Sequence, residues 1–237
     1  MRSVAWSLGL AAAVLVVGAG VVGAAEEGAL KEGDLAPVFT GRVLNPDVAG
    51  VKQVALDQVV GGTAQPAKKA LILSFFATYC EPCKKELPYL QALHEKYKDQ
   101  GLGVMVVSID QKPEDIAKVS ELVKEKGVTY PVLSDRFNIV AKRYSVKRLP
   151  CLYMLDGTGK ITMASTGYSE EFSGELLAAV QNRLGVPVDP AAVPHAVAAA
   201  PAPAAEQTPA NTVEPQPEQQ KAGAEDKKVK GKKKKGK

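Results

Sequence analysis

The chain has 237 residues, 30 basic and 26 acidic, and a formal charge of +4. Eight lysines crowd into residues 227–237, so the remainder sums to −4 and the basicity belongs to one tip; a nucleic-acid partner, which needs a basic folded face, is not expected. Three cysteines are too few for a disulfide scaffold, and with two histidines (His94 and His195) distant from the cysteine pair they do not readily build a closed zinc site, so no metal is expected.

Residues 3–25 carry no charge and follow Arg2, and small residues meet the first acids at "VVGAAEE". A basic start, an apolar stretch and a small-residue junction read as a secretory signal over 1–25, cleaved after Ala24 or Ala25, with an uncleaved membrane anchor as the alternative. No cysteine lies at the junction to accept a lipid. Either route exports the chain to a periplasmic or other extracytoplasmic space, where disulfides persist.

The folded part is expected over 30–186. Residues 36–65 are poorly legible, although "KQVALDQVVGG" suggests a strand and a helical turn. The apolar run 69–78 reads as a buried strand. In 83–100, Leu87, Leu90, Leu93 and Tyr97 recur at helical spacing and Gly101 closes the helix. A second apolar strand spans 102–110. Residues 113–127 open on Pro and two acids and close on basics and Gly, the signature of a helix. A short strand at 129–135 and a short helix at 136–146 follow. Strands at 151–156 and 160–168 flank Gly157-Thr158-Gly159 as a hairpin, and a helix at 169–185 starts on Ser169. Strands alternating with helices, then a hairpin and a last helix, predict an α/β fold: a mixed central sheet with helices on both faces.

After Leu184 the chain turns to Ala, Pro and Gln with few large apolar residues, and 187–237 reads as a disordered linker ending in the Lys-rich tail. The tail solubilises by self-repulsion, or tethers the chain through charge alone to anionic membrane or cell-wall polymer.

The chemistry concentrates in "FFATYCEPCKKELP", residues 75–88. Cys80 and Cys83 stand two residues apart between a buried strand and a helix, where free backbone N–H groups and the helix dipole favour a thiolate. Pro82 suits the first helical turn. The spacing allows a tight disulfide, with Cys80 the exposed attacking thiol and Cys83 the shielded resolving one. A passive staple and half of a metal site are the competing readings of the pair.

Phe75 to Lys84 resembles the active-site strand and loop of the thioredoxin superfamily, with Phe76 and Tyr79 where tryptophans are common. The extension through Lys85, Glu86, Leu87 and Pro88 resembles the exported TlpA/ResA-type thiol-disulfide oxidoreductases, within a redoxin (AhpC/TSA-like) domain. "KRLPCLYMLD" carries the second mark: Pro150 matches the cis-proline facing the active-site loop. The resemblance implies a thioredoxin-like fold with an N-terminal extension and an α-β element inserted at 113–135. It implies a redox-active disulfide as the only cofactor, and a substrate groove of Glu81, Pro82, Leu149 and Pro150, where the backbone of Leu149 pairs with a bound strand. It further implies protein disulfides as substrates, apocytochrome c among them, and electrons from a membrane thiol carrier.

Glu86, three residues after Cys83, matches a glutamate that ResA-type proteins use in handling thiol protons; a solvated helix glutamate is the plainer reading. Many thioredoxins place a buried acid on the strand six residues before the first cysteine; here that residue is Ser74. Glu81 opposes a thiolate at Cys80, and Lys84 and Lys85 partly offset it. Cys151 reads as a small core residue, with a third active thiol as the alternative. Three rivals remain. A peroxiredoxin wants Thr or Ser three residues before its cysteine, where this chain has Ala77, with Thr78 one place late. A copper-delivery module wants wider cysteine spacing and a later histidine. A non-catalytic docking domain does not explain an intact pair beside Pro150.

Overall fold

The computed structural model describes residues 30–193; the expected signal segment and the Lys-rich tail lie outside them. The elements run β1 (Thr40–Val43), α1 (Pro46–Ala49), β2 (Gln53–Ala55), β3 (Ala70–Phe76), α2 (Glu81–Tyr97), β4 (Leu102–Ser108), α3 (Pro113–Glu125), β5 (Val132–Ser134), α4 (Ile139–Arg143), β6 (Cys151–Asp156), β7 (Ile161–Thr166) and α5 (Glu170–Leu184). One seven-stranded sheet joins them in the order β2-β1-β5-β4-β3-β6-β7.

β3, β4 and β5 run parallel, and β6, β7, β1 and β2 continue the sheet antiparallel on either side. Every residue of β3 and β4 is buried, because both faces of the sheet's centre are covered; that is why these strands read as unbroken apolar runs and not as alternations. β7, at the edge, alternates.

Phe76, Ser108 and Ser134 stand in register across the three parallel strands. Their exits, at 77–80, 109–112 and 135–138, therefore open on one edge of the sheet. β6 enters antiparallel with Cys151 opposite Phe75, which brings Leu149 and Pro150 to the same edge. The inserted element is present as α3 and β5. The hairpin turns where expected: Asp156 Oδ1 accepts from the Thr158 and Lys160 backbone N–H groups, and Gly159 takes φ +84°. Ser169 caps α5 by accepting from the Phe172 N–H.

The strand and helical turn read in "KQVALDQVVGG" form as β2 and a single turn at Leu56–Gln58, and the 36–65 region adds β1 and α1: β1 and β2 form an antiparallel pair, and β1 docks on β5. One expectation changes: packing runs past 186. Gln181, buried on α5, exchanges both amide groups with the Asp189 backbone at 3.0 Å, and Val193 is buried. The Pro- and Ala-rich composition concealed this, since one buried glutamine and one valine suffice to seat the segment. No helix among the described residues is long and apolar enough to cross a membrane.

Asn45 ties the N-terminal strands to the sheet. Its amide donates to Tyr130 O and its Oδ1 accepts from Val132 N, both at 2.9 Å and away from water. Asn45→Ala should destabilise the protein by on the order of 3 kcal/mol, because two buried backbone groups lose their partners. Urea unfolding would show a lower midpoint at unchanged slope; a loss under about 0.5 kcal/mol would mean that these groups find other partners.

Candidate active site

β3 ends at Phe76 and α2 begins five residues later, with Cys80 as N-cap in extended conformation. The Cys80 Sγ accepts from the Cys83 backbone N–H at 3.3 Å, so the sulfur occupies the place a capping oxygen usually fills. Pro82 sits in the first turn, where no N–H is needed. The two cysteines are joined, with S–S 2.11 Å and Cα–Cα 5.3 Å. The loop before them is anchored by Asp110, whose carboxylate accepts from the Thr78 N–H and, at 2.7 Å, from the Thr78 hydroxyl; Ser108 donates to the same carboxylate. Thr78 is thus committed away from the cysteines, unlike the hydroxyl a peroxiredoxin site wants. Asp110 and Ser108 were not anticipated; a "Ser-Ile-Asp" leaving a buried strand was their only trace.

One expectation fails. Cys80 is fully buried in the disulfide form, not exposed. Its partner Cys83 lies on the core-facing side of α2, and the bond turns both sulfurs inward. The exposed residue of the loop is its neighbour Tyr79, 57% accessible.

The buried stripe of α2 runs Cys83, Glu86, Leu87, Leu90, Leu93 and Tyr97. Glu86 occupies a core position one turn below Cys83 and is 1% exposed. The Ser74 hydroxyl on β3 donates to its Oε2 at 2.7 Å, while Oε1 has no hydrogen-bond partner among the described residues. Burial pushes the Glu86 carboxyl up to about 7, against the Ser74 bond, which holds it down. Its charge reaches Tyr130, Tyr168 and Cys151. The structure thus removes the solvated-glutamate reading. Ser74, noted in the sequence only as a missing acid, is the residue that positions this one.

Glu81 projects outward and pairs with Lys84 at 2.6 Å, which offsets its charge beside Cys80; Lys85 is exposed and forms no ion pair among the described residues. The Leu149–Pro150 bond is cis, both residues are buried, and Pro150 O accepts from Gly167 N at 2.8 Å. A second cis bond, Gln65–Pro66, precedes β3 and was not foreseen. Cys151 opens β6 as a free, buried thiol, pushed up to about 11 by burial, with Tyr153 holding it down and Glu86 adding to the rise. His94 stacks edge-on against Tyr130 at 5.9 Å along α2, away from the cysteines.

The chain resembles known proteins over this region. It is 36% identical over 99 residues to thiol-disulfide oxidoreductase ResA of Bacillus thuringiensis subsp. konkukian (strain 97-27), covering 42% of this chain and 56% of that one. It is 34% identical over 103 residues to ResA of Bacillus subtilis (strain 168), covering 44% and 56%. The chain thus spans about half the length of the curated relatives it matches. A crystal structure of a candidate thiol:disulfide interchange protein DsbE from Chlorobium tepidum superposes with TM-score 0.57 at 24% identity, over 66% of this chain and 100% of that one, and shows the shared thioredoxin-like fold. The AhpC/TSA family profile matches residues 33–164, more than half of the chain, and the cysteine pair and its buried carboxyl fall within that match: the chain belongs to the AhpC/TSA family.

Proposed function

We propose that this chain is an exported thiol-disulfide oxidoreductase that reduces protein disulfides through Cys80 and Cys83. The observation that carries the reading is the dithiol at the N-terminus of α2 with a buried, half-satisfied carboxyl one turn below it.

In the disulfide form the Cys80 sulfur accepts from the Cys83 N–H, and on reduction that N–H and the start of α2 would favour its thiolate. It attacks one sulfur of a substrate disulfide; that bond breaks, and the other substrate sulfur leaves with its electron pair and takes up a proton. Cys83 then passes its proton to the Glu86 carboxylate and attacks the Cys80 sulfur. The mixed disulfide breaks, the second substrate thiolate leaves and takes that proton, and Cys80–Cys83 is again a disulfide. Two electrons have moved to the substrate, and a second dithiol must return them. A carboxyl near 7 both accepts and releases protons at neutral pH, and the free Oε1 has the lone pairs to do so.

The reducing direction is supported by the surroundings. Among the described residues no lysine or arginine is buried, so a thiolate form gains no interior cation, whereas oxidants of this fold owe their potential to a stabilised reduced state. In this reading Pro150 and Leu149 shape the groove with Glu81 and Pro82, the apolar 1–25 stretch directs export, and electrons come from a membrane thiol carrier. The exported proteins it keeps reduced include apocytochrome c, and the Lys-rich tail holds the chain near an anionic surface.

Cys83→Ser should trap a stable mixed disulfide between Cys80 and a cystine-containing peptide, seen by non-reducing mass spectrometry, while Cys80→Ser traps none. Adducts through Cys83 in the second variant would contradict the assigned order of attack.

Glu86→Gln should slow exchange and flatten its pH profile around neutrality. It should also change stability in a defined direction. Between pH 4.5 and about 7 the unfolded chain ionises at Glu86 while the folded chain keeps its proton, so the wild type loses stability as pH rises. The oxidised wild type should fall relative to the glutamine variant by up to about 3 kcal/mol across that window and no further above it. Parallel stability–pH curves would show that the carboxyl titrates normally.

A further inference from the structure

The dithiol edge is electrically lopsided. Residues 30–193 hold twenty basic and nineteen acidic side chains, close to balance, yet 136–148 hold five basics (Arg136, Lys142, Arg143, Lys147 and Arg148) and no acid. All five are exposed, and none forms an ion pair among the described residues. The acids that border the segment are withdrawn. Asp135 is buried, accepting from the Ile139 and Ala141 N–H groups at the start of α4, and Asp110 is buried under Thr78. On the neighbouring α3, Asp115 is paired with Lys118. Of the exposed acids of this edge, Glu81 beside Cys80 is paired with Lys84, and the others lie at Glu114 in the first turn of α3 and at Glu170 and Glu171 in the first turn of α5, beyond the Pro150 loop.

The same segment carries exposed apolar groups. Phe137 is 68% accessible with the Arg136 guanidinium 4.8 Å from its ring centroid, and Ile139 is 53% accessible. The segment leaves β5 on the edge that Cys80 occupies, Asp135 N is held by Ser108 O at 2.8 Å, and its last residue, Arg148, leads directly into Leu149 and the cis Pro150. A cationic, aromatic shelf therefore runs from the dithiol's edge into the proposed substrate groove.

We propose that this shelf is a docking surface for an extended polypeptide whose cysteine is flanked on one side by acidic residues. The proposal rests on the thiol-exchange reading and adds its substrate class. The acidic flank lies over Arg136 to Arg148, and the α5 side of the groove, with Glu170 and Glu171, disfavours the opposite orientation. Charge of this kind acts mainly on the rate of encounter and weakens with salt.

Two matched peptides test it, each with one cysteine in mixed disulfide with 2-mercaptoethanol and flanked by four glutamates or four lysines. The reduced full chain should exchange with the glutamate peptide faster by roughly tenfold at low ionic strength, and the gap should close at high salt. Arg136→Glu with Lys147→Glu and Arg148→Glu should invert the preference while leaving exchange with neutral hydroxyethyl disulfide unchanged. Equal rates for the two peptides in the wild type, a comparison that needs no variant, would overturn the proposal. So would salt accelerating both peptides, which would mean that the chain's own acidic stretch at 206–226 covers the shelf. No exchange even with hydroxyethyl disulfide would overturn the thiol-exchange reading itself, and the docking proposal with it.

Discussion

The site depends on a carboxyl placed where solvent cannot reach it. Glu86 lies on the buried stripe of α2, flanked by Cys83 and Leu87, so the helix cannot face the sheet without carrying the carboxyl inward. An ionised carboxylate there would have no cation, only one hydroxyl from Ser74, and burial without pairing favours the neutral form. The balance sets its proton affinity near 7, and the same helix that fixes Glu86 begins at Cys80. One secondary-structure element therefore positions Cys80 at its cap, Cys83 in its first turn and the Glu86 carboxyl one turn on, the three groups to which the proposed exchange gives the roles of nucleophile, resolving thiol and proton acceptor.

The surrounding fold serves that helix. β3 delivers the chain to Cys80 from the centre of the sheet and supplies Ser74 from below. β4 supplies Ser108, the loop after it supplies the Asp110 that holds Thr78, and the entry into β6 brings Pro150 and Cys151 alongside. Cys151 is close enough to feel Glu86, yet burial keeps it protonated, which separates it from a third reactive thiol under neutral conditions. The surroundings of the pair withhold charge: among the described residues no lysine or arginine is buried, the buried Glu86 carboxyl has one hydroxyl for a partner, and the Cys151 thiol is held neutral.

Much of this was legible in the chain. The 69–78 run, the 3.6-residue stripe of α2 and the Pro-acid start of α3 each express one dominant local constraint, and each element formed there. The Cys-Glu-Pro-Cys turn and Pro150 were legible because few residue types satisfy those backbone positions. What local patterns could not show was partnership. The docking of β1 on β5 depends on contacts about ninety residues apart, with Asn45 as the link. The burial of Cys80 belongs to a pair whose other member, Cys83, lies on the buried stripe of α2. Ser74 looked like an absence in the sequence, and only its place across from α2 shows it as the hydrogen-bond donor to Glu86. The packed 187–193 segment was hidden because proline and alanine composition says little about one glutamine that bonds a returning backbone.

The central claim is that Cys80 and Cys83 form a reversible reducing pair that excludes Cys151. Its most direct measurement is equilibration of the full chain in graded dithiol buffers, followed by alkylation under denaturing conditions and mass spectrometry. The account predicts one two-electron transition confined to Cys80 and Cys83, centred near roughly −270 mV, with Cys151 alkylated as a free thiol throughout. A midpoint near roughly −120 mV, a disulfide involving Cys151, or no reversible interconversion would contradict it.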